Sequence, residues 1–138
     1  MRTGGYSITD GKCGNGTDPL TWWMVDLGSQ RMIGGGKIWN RNDCCPERLD
    51  GFQIWAGNGG TAYNASDNVK CYTAVTTEHR VSPFTHAFTC PVLGQYLYVV
   101  LPSGQCLSMI EVEIYSFGEN QMTDNSYLMA VVDTVFGN

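Results

Sequence analysis

Apolar and polar residues alternate over short segments of this chain. In residues 110–115, IEVEIY, apolar residues alternate with glutamate and tyrosine, which is the two-residue period of a strand with one buried face. Residues 95–101, QYLYVVL, form a longer apolar run typical of a more buried strand. The segments WWMVDLG from Trp22, KIWN (37–40) and GFQIWAG (51–57) are also strand-like. No helix of more than two turns is predicted.

Turn signals separate these segments. They are the glycine run at 34–36, the Asn-Gly-Gly at 58–60 and the Pro-Ser-Gly at 102–104. Several short strands at this spacing predict an all-β fold, an antiparallel β-sandwich or jelly roll. The alternation is lost after Phe117. We therefore expect one domain over residues 1–117 and a tail or linker over 118–138, which stays unassigned.

Composition narrows the function. The 138 residues suit one domain. Only 15% of them are charged and the net charge is −5, which argues against binding nucleic acid or an anionic membrane. No apolar run reaches the roughly 18 residues of a spanning helix, so membrane insertion is not expected. Catalytic signatures such as GxSxG and HExxH are absent, so we do not expect an enzyme. His79 and His86 are interpreted as surface or packing residues.

Six cysteines without a CxxC spacing favour disulfides over a zinc site. Disulfides persist in oxidising compartments. Sequons that begin at Asn15 and Asn64 agree with secretion. We therefore expect a secreted, extracellular protein. Because no signal peptide is visible, we expect the chain to be a piece of something longer.

The loop NRNDCCPERL, residues 40–49, combines charge and sulfur. Arg41 and Arg48 offer rigid planar forks of donors that suit paired hydroxyl or carboxylate acceptors. A Cys44–Cys45 bond would close a very small, rigid ring with a flat sulfur face. Polar forks beside a flat apolar patch suit a sugar, which has hydroxyls and an apolar C–H face. The alternative is a turn with surface ion pairs, and the residues alone leave both interpretations open.

The segment WWMVDLG followed by KIWNRNDCCPERLDGF resembles the F-type lectins, or fucolectins. They are a branch of the discoidin-like, coagulation factor 5/8 C-type β-sandwiches. The resemblance extends over about residues 6–117, with EVEIY (111–115) similar to the family's closing strand. The family's sugar motif is a histidine about two dozen residues before R-x-D-x₄-[R/K]. Arg41, Asp43 and Arg48 match its second part, with the adjacent cysteines Cys44 and Cys45 between them.

The resemblance implies a role for each of these residues. Arg41 and Arg48 would donate to the ring oxygen and hydroxyls of an L-fucose-like sugar, and Asp43 would orient them. The Cys44–Cys45 disulfide would pack against the sugar ring. The motif's histidine is absent, and Asn15, which can donate and accept, stands near its place. Such a module binds a sugar and does not cleave it.

The resemblance also implies a structural calcium, with Asp10 and Glu111 as ligands. Lys12 replaces an oxygen ligand of the family's calcium loop, so an alternative is that its ammonium group takes the ion's place between these carboxylates. The family normally has one more strand before residue 1, so we expect the domain to lack it. The remaining cysteines are expected to pair as Cys71–Cys90 and Cys13–Cys106.

The expected partners are fucosylated glycans or glycoproteins, in a role such as innate immunity. A homo-oligomer or tandem array is expected, because lectins gain avidity by multivalency. Two alternatives remain open. One is a discoidin-like adhesion module that binds a protein or lipid surface. The other is a non-catalytic module of a larger extracellular glycosidase or receptor.

Overall fold

A computed structural model of the chain describes residues 5–8, 21–102, 107–117, 127–132 and 135–136. These residues form β-strands and two short 3₁₀ helices, Pro46–Leu49 and Glu78–Arg80. None of the helices within the described ranges is long and apolar enough to cross a membrane. The strands are β1 (Gly5–Ile8), β2 (Thr21–Asn40), β3 (Gln53–Gly57), β4 (Asn68–Thr73), β5 (Thr85–Leu101), β6 (Ser108–Phe117), β7 (Tyr127–Val132) and β8 (Val135–Phe136).

All the strand pairs are antiparallel, in the order β4-β3-β5-β2-β6-β7, with β1 beside β2 and β8 beside β6. The long strands β2 and β5 take part in both halves of the fold. The first half of β2 pairs with the end of β5, which also pairs with β3. The second half of β2 lies between the start of β5 and β6. The prediction of an all-β, antiparallel sandwich is confirmed.

One apolar core joins the two halves of β2. The pairing between β2 and β5 is irregular between Asp26 and Arg31 and again between Ile33 and Gly35. A shift of register changes which side chains face the core. The positions of β2 that face this core accordingly change from odd to even numbers along the strand, while Met24, also buried, belongs to a second apolar cluster with Tyr98 and Val100. Trp23, Val25 and Leu27 are buried before these shifts, and Ile38 and Asn40 after them.

The predicted turn at residues 34–36 is wrong, because these glycines lie inside β2. They serve close packing between neighbouring strands. A Cβ atom on Gly35 would collide with the backbone carbonyl of Phe88 on β5. A Cβ on Gly36 would collide with the carbonyl of Glu113 on β6 and lie 2.7 Å from the Phe88 ring. Glycine is therefore required here for approach and not for a turn.

Two strands come from the segment after residue 117, which the sequence left unassigned. β7 pairs with β6 over Val112–Ser116, and β8 pairs with the start of β6. The edge of β6 that faces away from β2 is therefore covered by these two strands. The Asn-Gly-Gly at 58–60 lies in a turn after β3, as predicted.

Candidate functional site

The candidate site is the segment between the end of β2 and Asp50, which we call the arginine loop (residues 41–49). Its second part is the 3₁₀ helix Pro46–Leu49, with proline in its first turn, where a missing N–H costs nothing. Leu49 and Phe52 are fully buried and hold this end of the segment in the core. An exposed, charged loop therefore rests on two apolar anchors.

Asn40 fixes the start of the arginine loop. It is only 2% exposed. Its amide nitrogen donates to the carbonyls of Pro46 and His79, at 3.0 and 3.1 Å. Its amide oxygen accepts a 3.0 Å hydrogen bond from the backbone N–H of Arg41, and its own N–H donates to the carbonyl of Phe84 at 2.8 Å. Asn40 therefore joins the two sides of the turn that carries the cysteine pair.

Arg41 and Asp43 form a two-pronged ion pair. Arg41 Nε and one terminal nitrogen donate to the two carboxylate oxygens of Asp43, at 2.8 and 2.9 Å. The arginine side chain is 23% exposed and the aspartate 68%. Hydrogen bonds from Arg41 lower the pKa of Asp43 to about 2, and Asp43 raises the pKa of Arg41. Asp43 therefore orients the guanidinium group and remains ionised at ordinary pH.

Arg48 lies on the 3₁₀ helix and is half-buried. Its backbone N–H donates to the carbonyl of Cys45 at 3.1 Å. Within the described ranges, its guanidinium group has no hydrogen bond or ion pair. All its donors are therefore available to a ligand, in contrast to those of Arg41.

Cys44 and Cys45 form a disulfide between neighbouring residues. Their Cα atoms are 3.8 Å apart, the spacing across a trans peptide bond. Cys45 has the left-handed backbone angles φ 59° and ψ 46°, which are uncommon outside glycine. Cys44 is exposed and Cys45 half-buried. The ring therefore presents an exposed, apolar sulfur surface between the two arginines in sequence. The structure also contains the disulfide Cys71–Cys90.

A chain of hydrogen bonds that begins at Asp50, directly after the loop, passes through two buried histidines. Asp50 accepts from His79 Nε2 at 2.8 Å and from the guanidinium group of Arg80. His79 Nδ1 lies 2.9 Å from His86 Nδ1, and His86 Nε2 lies 2.9 Å from the Tyr72 hydroxyl. Both histidines are fully buried. The packing interpretation of these histidines is therefore right, and a surface position is wrong.

Charge and burial shift the pKa values along this chain. Hydrogen bonds from Arg80, and then from His79, lower the pKa of Asp50. Burial lowers the pKa of His86, against a smaller opposite effect of Glu78. Burial also raises the pKa of Tyr72. Asp50 is therefore a carboxylate, Tyr72 a neutral phenol, and His86 neutral at ordinary pH.

Several predicted site residues fall outside this geometry. Asn15, Asp10 and the cysteines of the predicted pair Cys13–Cys106 lie outside the described residues. Glu111 is half-buried on β6, opposite Trp39 of β2. Over the described ranges, no three His, Cys, Asp or Glu side chains cluster in a way that could hold a metal ion. The calcium site of Asp10 and Glu111 stays a prediction, and so does the role of Asn15.

Comparison with known proteins identifies the family. The profile of the F5/F8 type C family described as a NedA-like, galactose-binding domain matches residues 7–99. Fucolectin-1 of Anguilla japonica is 36% identical over 110 residues, which cover 78% of this chain and 60% of that protein. Fucolectin-5 of the same organism is 37% identical over 108 residues, 75% of this chain and 54% of that protein. The chain therefore spans little more than half the length of these relatives.

Solved structures show the same fold. A fucolectin from Morone saxatilis serum has a TM-score of 0.61 and 33% identity, and the match covers 75% of this chain and 36% of that one. The Streptococcus pneumoniae fucose binding module SpX-3 has a TM-score of 0.62 at 18% identity, over 85% of this chain and 96% of that one. These proteins are named as lectins and as a fucose binding module, which agrees with the prediction of a non-catalytic domain. The chain therefore belongs to the F5/F8 type C family of NedA-like, galactose-binding domains, and the resemblance to F-type lectins predicted from its sequence is confirmed.

Proposed function

We propose that this chain is a lectin domain that binds terminal L-fucose-like sugars at the arginine loop. The observation that carries this proposal is that one loop contains two arginines, of which only one is held by a carboxylate, together with an exposed disulfide. Arg41 is oriented by Asp43, and Arg48 has no partner within the described part of the chain. Relatives named fucolectin at 36% and 37% identity support the choice of sugar.

The arginines would act as donors to a bound sugar. A pyranose offers a ring oxygen and hydroxyl oxygens as acceptors, and an arginine fork matches two of them at once. Two N–H groups of Arg41 donate to Asp43, and its other N–H groups would donate to the ligand. Arg48 would approach with its whole fork.

The disulfide would supply the apolar contact. The C–H face of a sugar is stabilised by a flat, weakly polar surface, and the exposed Cys44 lies between the arginines in sequence. The ring is closed by neighbouring residues, so it loses little freedom when a ligand binds. Asn15 is proposed to add a polar contact in place of the motif's histidine. Neither His79 nor His86 fills that place, because both are fully buried.

The domain bounds, the localisation, the partners and the calcium site are also part of the proposal. We assign residues 1–117 to the lectin-like domain, with residues 118–138 as a C-terminal tail whose strands β7 and β8 pair with β6. The protein would be secreted, act on fucosylated glycans or glycoproteins outside cells, and gain avidity as an oligomer or tandem array. A calcium ion at Asp10 and Glu111 would be structural, since oxygen ligands suit it.

A glycan-array screen of the oxidised domain tests the proposal. The parent protein is expected to bind fucosylated glycans, and the Arg41→Ala/Arg48→Ala variant to lose them. Lys70→Ala is the control, because Lys70 is an exposed cation on β4 and its loss should leave the glycans bound. An absence of glycan signal from folded parent protein would contradict the proposal. It would favour an adhesion module or a module of a larger glycosidase or receptor.

A further inference from the structure

The buried pair His79 and His86 is not explained by sugar contact, because neither side chain reaches solvent. Their Nδ1 atoms are 2.9 Å apart. The outer nitrogen of His79 bonds Asp50, and that of His86 bonds the Tyr72 hydroxyl. The two ring planes are inclined by 29° with centroids 5.1 Å apart, and the Phe52 ring contacts both in an edge-on arrangement.

The partners fix which nitrogens carry protons when both histidines are neutral. An ionised carboxylate only accepts, so His79 Nε2 carries the hydrogen that Asp50 accepts. His79 Nδ1 is then an acceptor, and His86 Nδ1 must donate to it. His86 Nε2 is left to accept from the Tyr72 hydroxyl. All the hydrogen bonds therefore run in one direction, from Tyr72 to Asp50.

The pair can hold one extra proton but not two. With one proton on His79 Nδ1, the bond between the histidines reverses, and His86 Nε2 donates to the Tyr72 oxygen. The ring nitrogens of both histidines keep their partners, and the hydroxyl hydrogen of the half-buried Tyr72 turns away from His86. A second proton places two N–H groups and two positive charges against each other at 2.9 Å, without solvent. That state is strongly unfavourable in a buried site.

His79 also holds both ends of the arginine loop. Its side chain bonds Asp50, directly after the loop. Its backbone carbonyl accepts from the amide of Asn40, directly before the loop. Separation of the two histidine rings would therefore displace the residues on either side of Arg41 and Arg48.

We propose that His79 and His86 are positioning residues for the arginine loop, and that entry of the second proton at acid pH opens the loop and releases the sugar. This inference rests on the proposed function. With this histidine pair, the lectin would bind the sugar at neutral pH and release it in an acidified compartment. The known use of histidine clusters places such a change at about pH 5 to 6.

The surrounding charges agree with this range. On the His79 side, the Asp50 carboxylate accepts from Nε2 and is also paired with Arg80. On the His86 side, burial lowers the pKa, Glu78 raises it to a smaller extent, and His79 lowers it. The second proton therefore enters below the ordinary histidine value of about 6.5. The ionisable side chains that contact or act on the pair are Asp50, Tyr72 and Glu78, and Arg80 contacts Asp50.

The two aspartates at the loop, Asp43 and Asp50, do not titrate in this range. The pKa of Asp43 is about 2, and that of Asp50 is lowered from its ordinary value. The whole chain contains two histidines, both in this pair. A loss of binding on mild acidification would therefore report on His79 and His86.

Calorimetric titration with L-fucose tests the proposal. The parent is expected to lose affinity about tenfold between about pH 7.4 and pH 5, a typical coupling between linked binding events. In the His86→Asn/Tyr72→Phe variant, the asparagine amide replaces the donor to His79 and one titrating ring is gone. For this variant, the ratio of the L-fucose affinity at about pH 7.4 to that at about pH 5 should approach one. Tyr72→Phe alone keeps both rings and is the control, which should show the parent's loss. Equal ratios in the parent and double variant would overturn the proposal, as would constant affinity in the folded parent.

Nitrogen NMR of the imidazoles supplies a second measurement that needs no sugar. At neutral pH the proposal expects hydrogens on His79 Nε2 and His86 Nδ1. On acidification, the second protonation should coincide with shifts of the amides of residues 41–49. Loop amides that stay unchanged through that step would overturn the switch, even where the variants do not fold. If the parent binds no fucosylated glycan at neutral pH, the proposed function fails, and the NMR result still decides the switch.

Discussion

The side-chain amide of Asn40 donates a 3.0 Å hydrogen bond to the carbonyl of Pro46, six residues later. This bond closes the turn that holds Arg41, Asp43 and the Cys44–Cys45 ring. Because Asn40 is buried and also bonds His79, the exposed turn is tied to the interior from its base. The position of Arg41 therefore depends on a residue that does not face the ligand.

Replacement of Asn40 should affect both stability and binding. Asn40→Ala leaves two carbonyls and one N–H without their partner, and a buried unsatisfied group costs about 1–3 kcal/mol. We expect the free energy of unfolding to fall by about that amount and the affinity for L-fucose to fall with it. Urea unfolding and calorimetric titration measure the two effects. Asn40→Asp keeps the acceptor for Arg41 but loses both donors, so recovery of either property in that variant would contradict the assigned bonds.

Arg48 should matter for binding and not for stability. Arg48→Ala is expected to weaken L-fucose binding about 10- to 100-fold, the scale of losing charge-assisted hydrogen bonds. The free energy of unfolding should change by less than about 0.5 kcal/mol, because Arg48 has no partner in the described ranges. Arg48→Lys keeps the charge without the planar fork and should give an intermediate affinity. Full affinity in the lysine variant would show that charge alone is enough.

Removal of one disulfide should lower the stability of the fold, and removal of the other should weaken sugar binding. Cys71–Cys90 links β4 and β5 across a sequence separation of 19, so Cys71→Ala/Cys90→Ala should lower the free energy of unfolding by about 2–4 kcal/mol. Cys44–Cys45 encloses no loop, so Cys44→Ala/Cys45→Ala should leave stability nearly unchanged. It should weaken sugar binding about fivefold, the equivalent of about 1 kcal/mol of apolar contact. Each double variant is the control for the other, and a reversed pattern in thermal melts and titrations would contradict the assignment.

Stability should fall on mild acidification because of His86. Its folded-state pKa is lowered by burial, so the unfolded chain binds the proton more readily. The contribution is fully present above the ordinary value of about 6.5 and is lost as the pH falls through the folded-state pKa. The slope for one proton is at most about 1.4 kcal/mol per pH unit. Urea unfolding at a series of pH values should show this decline, and the His86→Asn/Tyr72→Phe variant should flatten it. A decline of the same slope in both proteins would assign it to other groups.

The fold class and the arginine loop could be predicted from the sequence. The long-range contacts that hold the strands and the loop in place could not. Alternation at residues 110–115 and the apolar run at 95–101 correctly predicted parts of β6 and β5. The first part of β5 was missed because a histidine and a cysteine occupy core positions beside Phe88. The sequence pattern predicts a turn at the glycines 34–36, because the close approach of Gly35 and Gly36 to β5 and β6 is a tertiary feature.

At the candidate site, too, local contacts could be predicted from the sequence and long-range contacts could not. The pairing of Arg41 with Asp43 is local and follows from their spacing. The contacts of His79 with Asp50 and Asn40 join residues 29 and 39 positions apart, and no local pattern reports them. A hint lay in the alternation of His86, Phe88 and Cys90, which indicates a buried face and therefore a buried histidine.

The most direct test of the central claim is an amide NMR titration of the folded, oxidised domain with L-fucose. We predict saturable shifts concentrated in residues 41–49, lost in the Arg41→Ala/Arg48→Ala variant and retained in the Lys70→Ala control. D-mannose in the same titration controls for non-specific sugar effects. Saturable L-fucose binding with shifts elsewhere and unchanged amides at 41–49 would contradict the claim that the arginine loop is the sugar site.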